Sequence, residues 1–232
     1  YERPSEGSID RIYYEPIIKP LENYFPKLKV LSFDIETNKH AGDLYCISLY
    51  CPPFKKVLIL KKGTFTNAES CADEERLLER FKELVLDLDP DIITGWNCID
   101  FDLKYLQERF KKNKIEFHLG RINRLCKLKF SDSYFKDSTA DIPGRMVLDG
   151  IHLLKISHVK LDDYKLETAA KMFTHEQKIF TGHNRYEQID EAFQNNPQLL
   201  IDYNLSDEQL AYDIIEKSNA LELNIRRSLL HL

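Results

Sequence analysis

Residues 28–37 read Leu-Lys-Val-Leu-Ser-Phe-Asp-Ile-Glu-Thr, a short apolar run that ends in two carboxylates, Asp34 and Glu36. A short apolar run of this kind fits a buried strand. Residues i and i+2 of a strand share a face, so the two acids would stand side by side. Like charges so placed repel unless a cation lies between them. Oxygen donors of this kind suit hard divalent metals. A strand that runs out into a solvated acidic turn would carry the same residues. What the rest of the chain brings to this strand decides between the two.

The chain has 232 residues and a net charge of −5, long enough for one large domain or two small ones. Its apolar and charged fractions, 43% and 31%, are those of an ordinary globular protein. No apolar run approaches the ~20 residues needed to span a membrane. The first residues, Tyr-Glu-Arg-Pro-Ser-Glu-Gly, lack the apolar core of a signal peptide and an initiator Met. A fragment of a longer protein is expected. The five cysteines (46, 51, 71, 98 and 126) are odd in number and include no Cys-x-x-Cys pair. That speaks against a disulfide framework or zinc site and for a reducing cytosol. The mild acidity excludes a strongly basic nucleic-acid coat, but not nucleic-acid chemistry through metals.

Along the chain, residues 1–27 carry Pro4, Pro16, Pro20 and Pro26 and read as an extended lead-in from a preceding domain. Strands are expected over 28–36, 43–50 and 56–60, joined closely enough for an antiparallel meander. Apolar positions 77, 78, 81, 84, 85 and 88 predict a helix over 72–88, with Asp73, Glu74 and Glu75 in its acid-favouring first turn. Residues 91–95 form a short buried strand, and a helix follows over 101–110, with Asp100 as its N-cap. The basic stretch 111–130 is either a phosphate path or a solvated face. Residues 131–141 read as a mobile loop, 144–149 as a strand and 150–157 as a helix. Asp162 or Asp163 caps a helix through Phe173. A short helix covers 186–194, and one long helix runs from Pro197 to about Leu229. Strands followed by helix–strand–helix make an α/β domain with one mixed sheet flanked by helices.

Two further places complete the first. Gly95-Trp-Asn-Cys-Ile-Asp-Phe-Asp102 follows a strand and opens a helix, where open α/β sheets place ligands. Tyr203 and Asp207 are i and i+4 on a helix and share a face. Together the three segments supply Asp34, Glu36, Asp102, Asp207 and Tyr203. Four carboxylates neutralise two divalent ions, the requirement of two-metal phosphoryl transfer.

Phe33-Asp-Ile-Glu-Thr37, Asn97-x-x-x-Phe101-Asp102-x-x-Tyr105 and Tyr203-x-x-x-Asp207 resemble the three motifs of the DEDDy 3′–5′ exonucleases. Gly-Trp-Asn before the second motif is similar to the form in family B DNA polymerases, and most like the proofreading domain of the bacterial ones. The likeness extends to Gly144-Arg-x-x-x-Asp149 and Leu166-Glu-Thr-Ala-Ala170 and covers roughly residues 20–230. The resemblance implies a ribonuclease H-like fold over 28–232. It implies two Mg²⁺ or Mn²⁺ ions bridged by Asp34, with Glu36 and Asp207 on the one that carries the attacking water. Asp102 serves the other, and Tyr203 positions the water. Asn97, Phe101 and Thr37 match positions near the terminal nucleotides. The implied activity is removal of nucleoside monophosphates from single-stranded or frayed DNA 3′ ends, with DNA and the remaining polymerase domains as partners. The polymerase signatures themselves are absent, so palm, fingers and thumb are expected to lie outside this chain. A non-catalytic single-strand-binding module and an RNA-trimming exonuclease of the same fold are the alternatives.

The seven histidines (40, 118, 152, 158, 175, 183 and 231) show no metal-ligand spacing. Asp202 and Asp213 point off the face of the third motif. Trp96 reads as packing beside the site, and Asp149 as a strand end that could support it.

Overall fold

The computed structural model describes residues 2–3, 12–17, 19, 26–131, 137–174, 179–180 and 184–229. Most of the expected lead-in lies outside them, as do His175, His183 and His231. Two short strands, β1 (Glu2–Arg3) and β2 (Ile12–Tyr13), pair antiparallel. The main sheet follows with β3 (Val30–Thr37), β4 (Leu44–Cys51), β5 (Phe54–Ile59) and β6 (Ala68–Ser70). It is completed by β7 (Ile92–Gly95) and, after the hairpin strands β8 (Lys127–Lys129) and β9 (Thr139–Asp141), by β10 (Met146–Asp149). The strand order is β10-β7-β3-β4-β5-β6. Strands β3, β4 and β5 form the expected antiparallel meander. Strands β7 and β10 run parallel to β3, which makes the sheet mixed.

Helices cover both faces. One face of β3 presents Leu31, Phe33 and Ile35 to α1 (Glu74–Leu88) and to α2 (Lys104–Lys112). Helix α1 forms because Leu77, Leu78, Phe81, Leu84 and Val85 recur on one stripe. Asp73 caps it by accepting from the Arg76 N–H at 2.9 Å, and it ends at Asp89, whose φ of 45° is left-handed. Fully burying each of its large apolar side chains contributes about 1.5–3 kcal/mol. The other face is covered by α3 (Gly150–Ile156), α4 (Leu166–Phe173), α5 (Arg185–Asn195), α6 (Pro197–Lys217) and α7 (Ala220–Leu229). The architecture is the mixed sheet flanked by helices expected of a ribonuclease H-like domain.

Several elements differ from expectation, among them the edge strand β6, which pairs parallel with β5 where no strand was expected. The second motif opens with a π-helical turn, Ile99–Leu103, in which the Leu103 N–H reaches the Cys98 carbonyl at 2.7 Å. Asp100 is therefore an exposed member of this turn and caps nothing. Within 131–141, expected to be a loop, β9 pairs with β8; residues 132–136 are outside the described residues. Helix α4 begins after Lys165, and Asp163 acts from outside it, accepting from the Lys165 N–H and the Thr168 hydroxyl. The single helix expected over 197–229 is two, because Asn219 takes a left-handed φ of 53° between α6 and α7.

Candidate active site

Alternation along β3 separates packing from chemistry. Leu31, Phe33 and Ile35 enter the core under α1, so Ser32, Asp34 and Glu36 face α6. Helix α6 lays Asn204, Asp207 and Glu208 against that face, and Asn204 donates its side-chain N–H to Asp34 Oδ2 at 2.7 Å. Glu208 is buried beside Ser32 and Asp34; burial, then the charge of Asp34, pushes its carboxyl well up.

The third side of the site opens where two strands part. Strand β7 pairs with β3 only from Val30–Ile92 to Ser32–Thr94. Gly95 ends β7 against β3, and a Cβ there would come within 2.5 Å of the Phe33 carbonyl oxygen. Asn97 then turns the chain with a φ of 63° into the π-helical turn. That turn swings Asp102 inward, to 1% exposure, where its Oδ1 accepts from the Ile35 N–H at 3.0 Å. The carboxylate takes the place on β3 that β7 has vacated. Burial first, and the charge of Asp34 next, holds the Asp102 carboxyl well above the ordinary range. Asp149 anchors the turn from the end of β10: it accepts from the Ile99 N–H at 3.3 Å and caps α3 through Ile151. Its candidate supporting role thus has a concrete geometry. Trp96 donates to the Tyr164 carbonyl at 2.9 Å and packs beside the site.

A cavity of about 820 Å³ lies over this strand end, and Asp34, Glu36, Thr37, Asn97, Phe101, Asp102 and Asp207 all line it. Tyr203 is the one sequence candidate off its wall. It is fully buried behind Glu36 and Asp207, with its ring 4.5 Å from that of Phe180. Burial, reinforced by the charges of Glu36 and Asp207, pushes the phenol far up, so its proton is available to donate. Phe101, 43% exposed, and Tyr186, 51% exposed, offer ring faces along the cavity. Asp202 is exposed and bound to Gln198, away from the cavity.

Three side chains among the acids were not singled out by sequence, Asn204, Glu208 and Arg185, and neither was Tyr186 on the cavity wall. Asn204 and Glu208 are i and i+4 on α6, a polar pair among buried apolar positions, which is a readable signal. Arg185 opens α5 and carries no such signal; its Nη2 stands 3.5 Å from Glu36 Oε1. Four hard oxygen-donor carboxylates on one wall fit a pair of divalent ions by chemistry. In the present arrangement each of three acids is turned to its own partner: Asp34 to Asn204, Asp102 to Ile35, Glu36 to Arg185. Among the described residues no three His, Cys, Asp or Glu side chains converge as ligands of one ion. All five cysteines are buried and free. Among the described residues no helix is long and apolar enough to cross a membrane.

Residues 5–169 match the family described as DNA polymerase family B, exonuclease domain. The chain is 33% identical over 220 residues to DNA polymerase II of Escherichia coli, which covers 91% of this chain and 28% of the relative. It is 29% identical over 165 residues to the DNA polymerase delta catalytic subunit of Caenorhabditis elegans, covering 66% and 15%. With a DNA polymerase of Pyrococcus glycovorans it shares 28% over 211 residues, covering 87% and 26%. The chain thus spans between 15% and 28% of the length of these relatives. A matched segment that reaches from the acid-bearing strand through the second motif to α4 leaves one assignment: the chain belongs to the exonuclease domain of family B DNA polymerases.

Proposed function

We propose that this chain hydrolyses the terminal phosphodiester at the 3′ end of single-stranded or frayed DNA and releases nucleoside monophosphates. In a full-length polymerase this would be the proofreading step. The observation that carries the reading is the meeting of Asp34, Glu36, Asp102 and Asp207, from three separate segments, on one cavity wall. Exonuclease domains of this family are metal-dependent. The four acids would hold two divalent ions, Mg²⁺ or Mn²⁺, which supply Lewis acidity for activating water and stabilising the leaving oxygen. Tyr203, kept protonated, would orient the attacking water from behind Glu36 and Asp207. Asn97, Phe101 and Thr37 line the space that a terminal nucleotide would take, Phe101 by stacking on the base. Strand β3 fixes two of the acids on one rigid element, which keeps the reacting geometry from wandering.

The test is Asp34→Ala with Glu36→Ala. Degradation of a 3′-labelled single strand in Mn²⁺ should fall by about a thousandfold or more. Undiminished degradation by that variant would overturn the reading. A matched RNA strand run beside the DNA separates a deoxyribonuclease from an RNA-trimming enzyme, because no residue at the cavity has been assigned to a 2′-hydroxyl.

A further inference from the structure

Arg185 sits among the acids by construction. Its helix, α5, is held against the sheet from several directions. Lys39, just past the end of β3, pairs with Glu187. The Tyr45 hydroxyl of β4 donates to Asp190 at 3.0 Å, and the Tyr45 ring stacks on Phe193 at 3.8 Å. Ile189 and Ala192 are buried against the same face. These contacts fix the first turn of α5 at the cavity. From there the Arg185 guanidinium reaches Glu36 at 3.5 Å and lies 5.9 Å from the centre of the Tyr203 ring. Its other neighbours by charge are Asp34 and Asp207. Lys165, the other cation on the cavity wall, is turned to Asp163 at 3.1 Å. Among the described residues on the cavity wall, Arg185 is therefore the cation that faces the acids.

We propose that Arg185 is a displaceable counterion of the acid cradle, which neutralises Glu36 and its neighbours until a divalent ion takes its place. The inference rests on the reading of these acids as a metal cradle. A guanidinium and a divalent ion compete for the same Glu36 oxygens and repel one another at this range. Glu36 is 4% exposed, so leaving it without a positive partner would be costly. The Arg185 side chain keeps about a third of its surface exposed, so it has an outward path when displaced. Arg185 would thus set how much metal is needed to assemble the site.

The test is calorimetric titration of Mn²⁺ into the 232-residue chain and its Arg185→Met variant. The variant should bind Mn²⁺ roughly tenfold more tightly, because one unit of competing positive charge is gone. Arg185→Lys, which keeps the charge, should bind near the parent value. The rise in melting temperature on adding Mn²⁺ should be larger for Arg185→Met than for the parent. Equal or weaker binding by Arg185→Met overturns the inference. Should that variant not fold, the unmodified chain still decides: the Arg185 Nε–H resonance must move over the same Mg²⁺ range in which the ion binds, and a stationary resonance refutes displacement. Asp34→Asn with Glu36→Gln separates the two levels. If neither parent nor Arg185→Met takes up Mn²⁺, the cradle reading falls and the inference with it. If both bind equally, and the acid variant does not, only the inference falls.

Discussion

Tyr203 combines two demands that ordinarily conflict. It is fully buried, yet its hydroxyl is directed at charged neighbours. Replacing it with phenylalanine keeps the ring against Phe180 and removes only the hydroxyl. If the hydroxyl orients the attacking water, Tyr203→Phe lowers kcat by about tenfold to a hundredfold with little change in KM. A KM effect alone would place the residue in substrate binding instead. Asp102 is open to a similar division. Its Oδ1 caps the Ile35 N–H, a group that the parting of β7 from β3 leaves without a strand partner. Asp102→Ala strands that N–H and costs about 1–3 kcal/mol of stability. Asp102→Asn keeps an acceptor oxygen, so thermal denaturation should show a smaller loss while nuclease activity still falls.

Among the elements, the break between α6 and α7 turns on one backbone angle. Asn219 holds φ at 53°, where asparagine and glycine sit at low cost and β-branched residues do not. Asn219→Val should cost about 1–2 kcal/mol in denaturant melts, and Asn219→Gly should stay close to the parent. The break itself was not legible in the sequence, because Ser218-Asn219 contains neither Gly nor Pro and the apolar spacing continues across it. The hairpin of β8 and β9 was missed for a related reason. Lys127, Lys129, Thr139 and Asp141 are exposed, so no buried face imprints a period of two. The meander and α1 were legible because each buries one face and writes it into the spacing. At the site, the sequence motifs already singled out residues that the cavity gathers. Arg185 escaped notice because its meaning comes from where α5 is docked, a tertiary fact with no local signature.

At the scale of the molecule, acid should loosen the layer over β3. Burial alone would raise the Glu74 carboxyl, but hydrogen bonds from Arg109 and Asn113 overcome it and hold it below its ordinary value. Asp89 is likewise held down, against burial, by Arg121 and Arg145. A carboxyl lowered on folding stabilises the protein fully above its unfolded value, and that contribution is lost as pH falls through the folded one. The stability that these two carboxyls contribute should therefore be level near neutrality and be lost below about pH 4. Glu74→Gln, which removes the charge from the contact between α1 and α2, should cost about 1.5–3 kcal/mol at neutral pH and flatten the acid limb of a stability–pH curve. An unchanged acid limb would assign the loss to other groups.

Strand β3 also says something about how such a domain can change over generations. Its odd-numbered positions, Leu31, Phe33 and Ile35, answer to packing, and its even-numbered positions, Asp34 and Glu36, answer to chemistry. Point substitutions on either set can drift or be tuned while the other stays fixed, so robustness and rate evolve along separate lines. A single-residue insertion or deletion inside the strand has no such freedom. It would exchange the two sets at one stroke, turning acids into the oil and rings into the water. Length variation among descendants of this chain is therefore expected in the turn between β4 and β5 and not between Leu31 and Glu36.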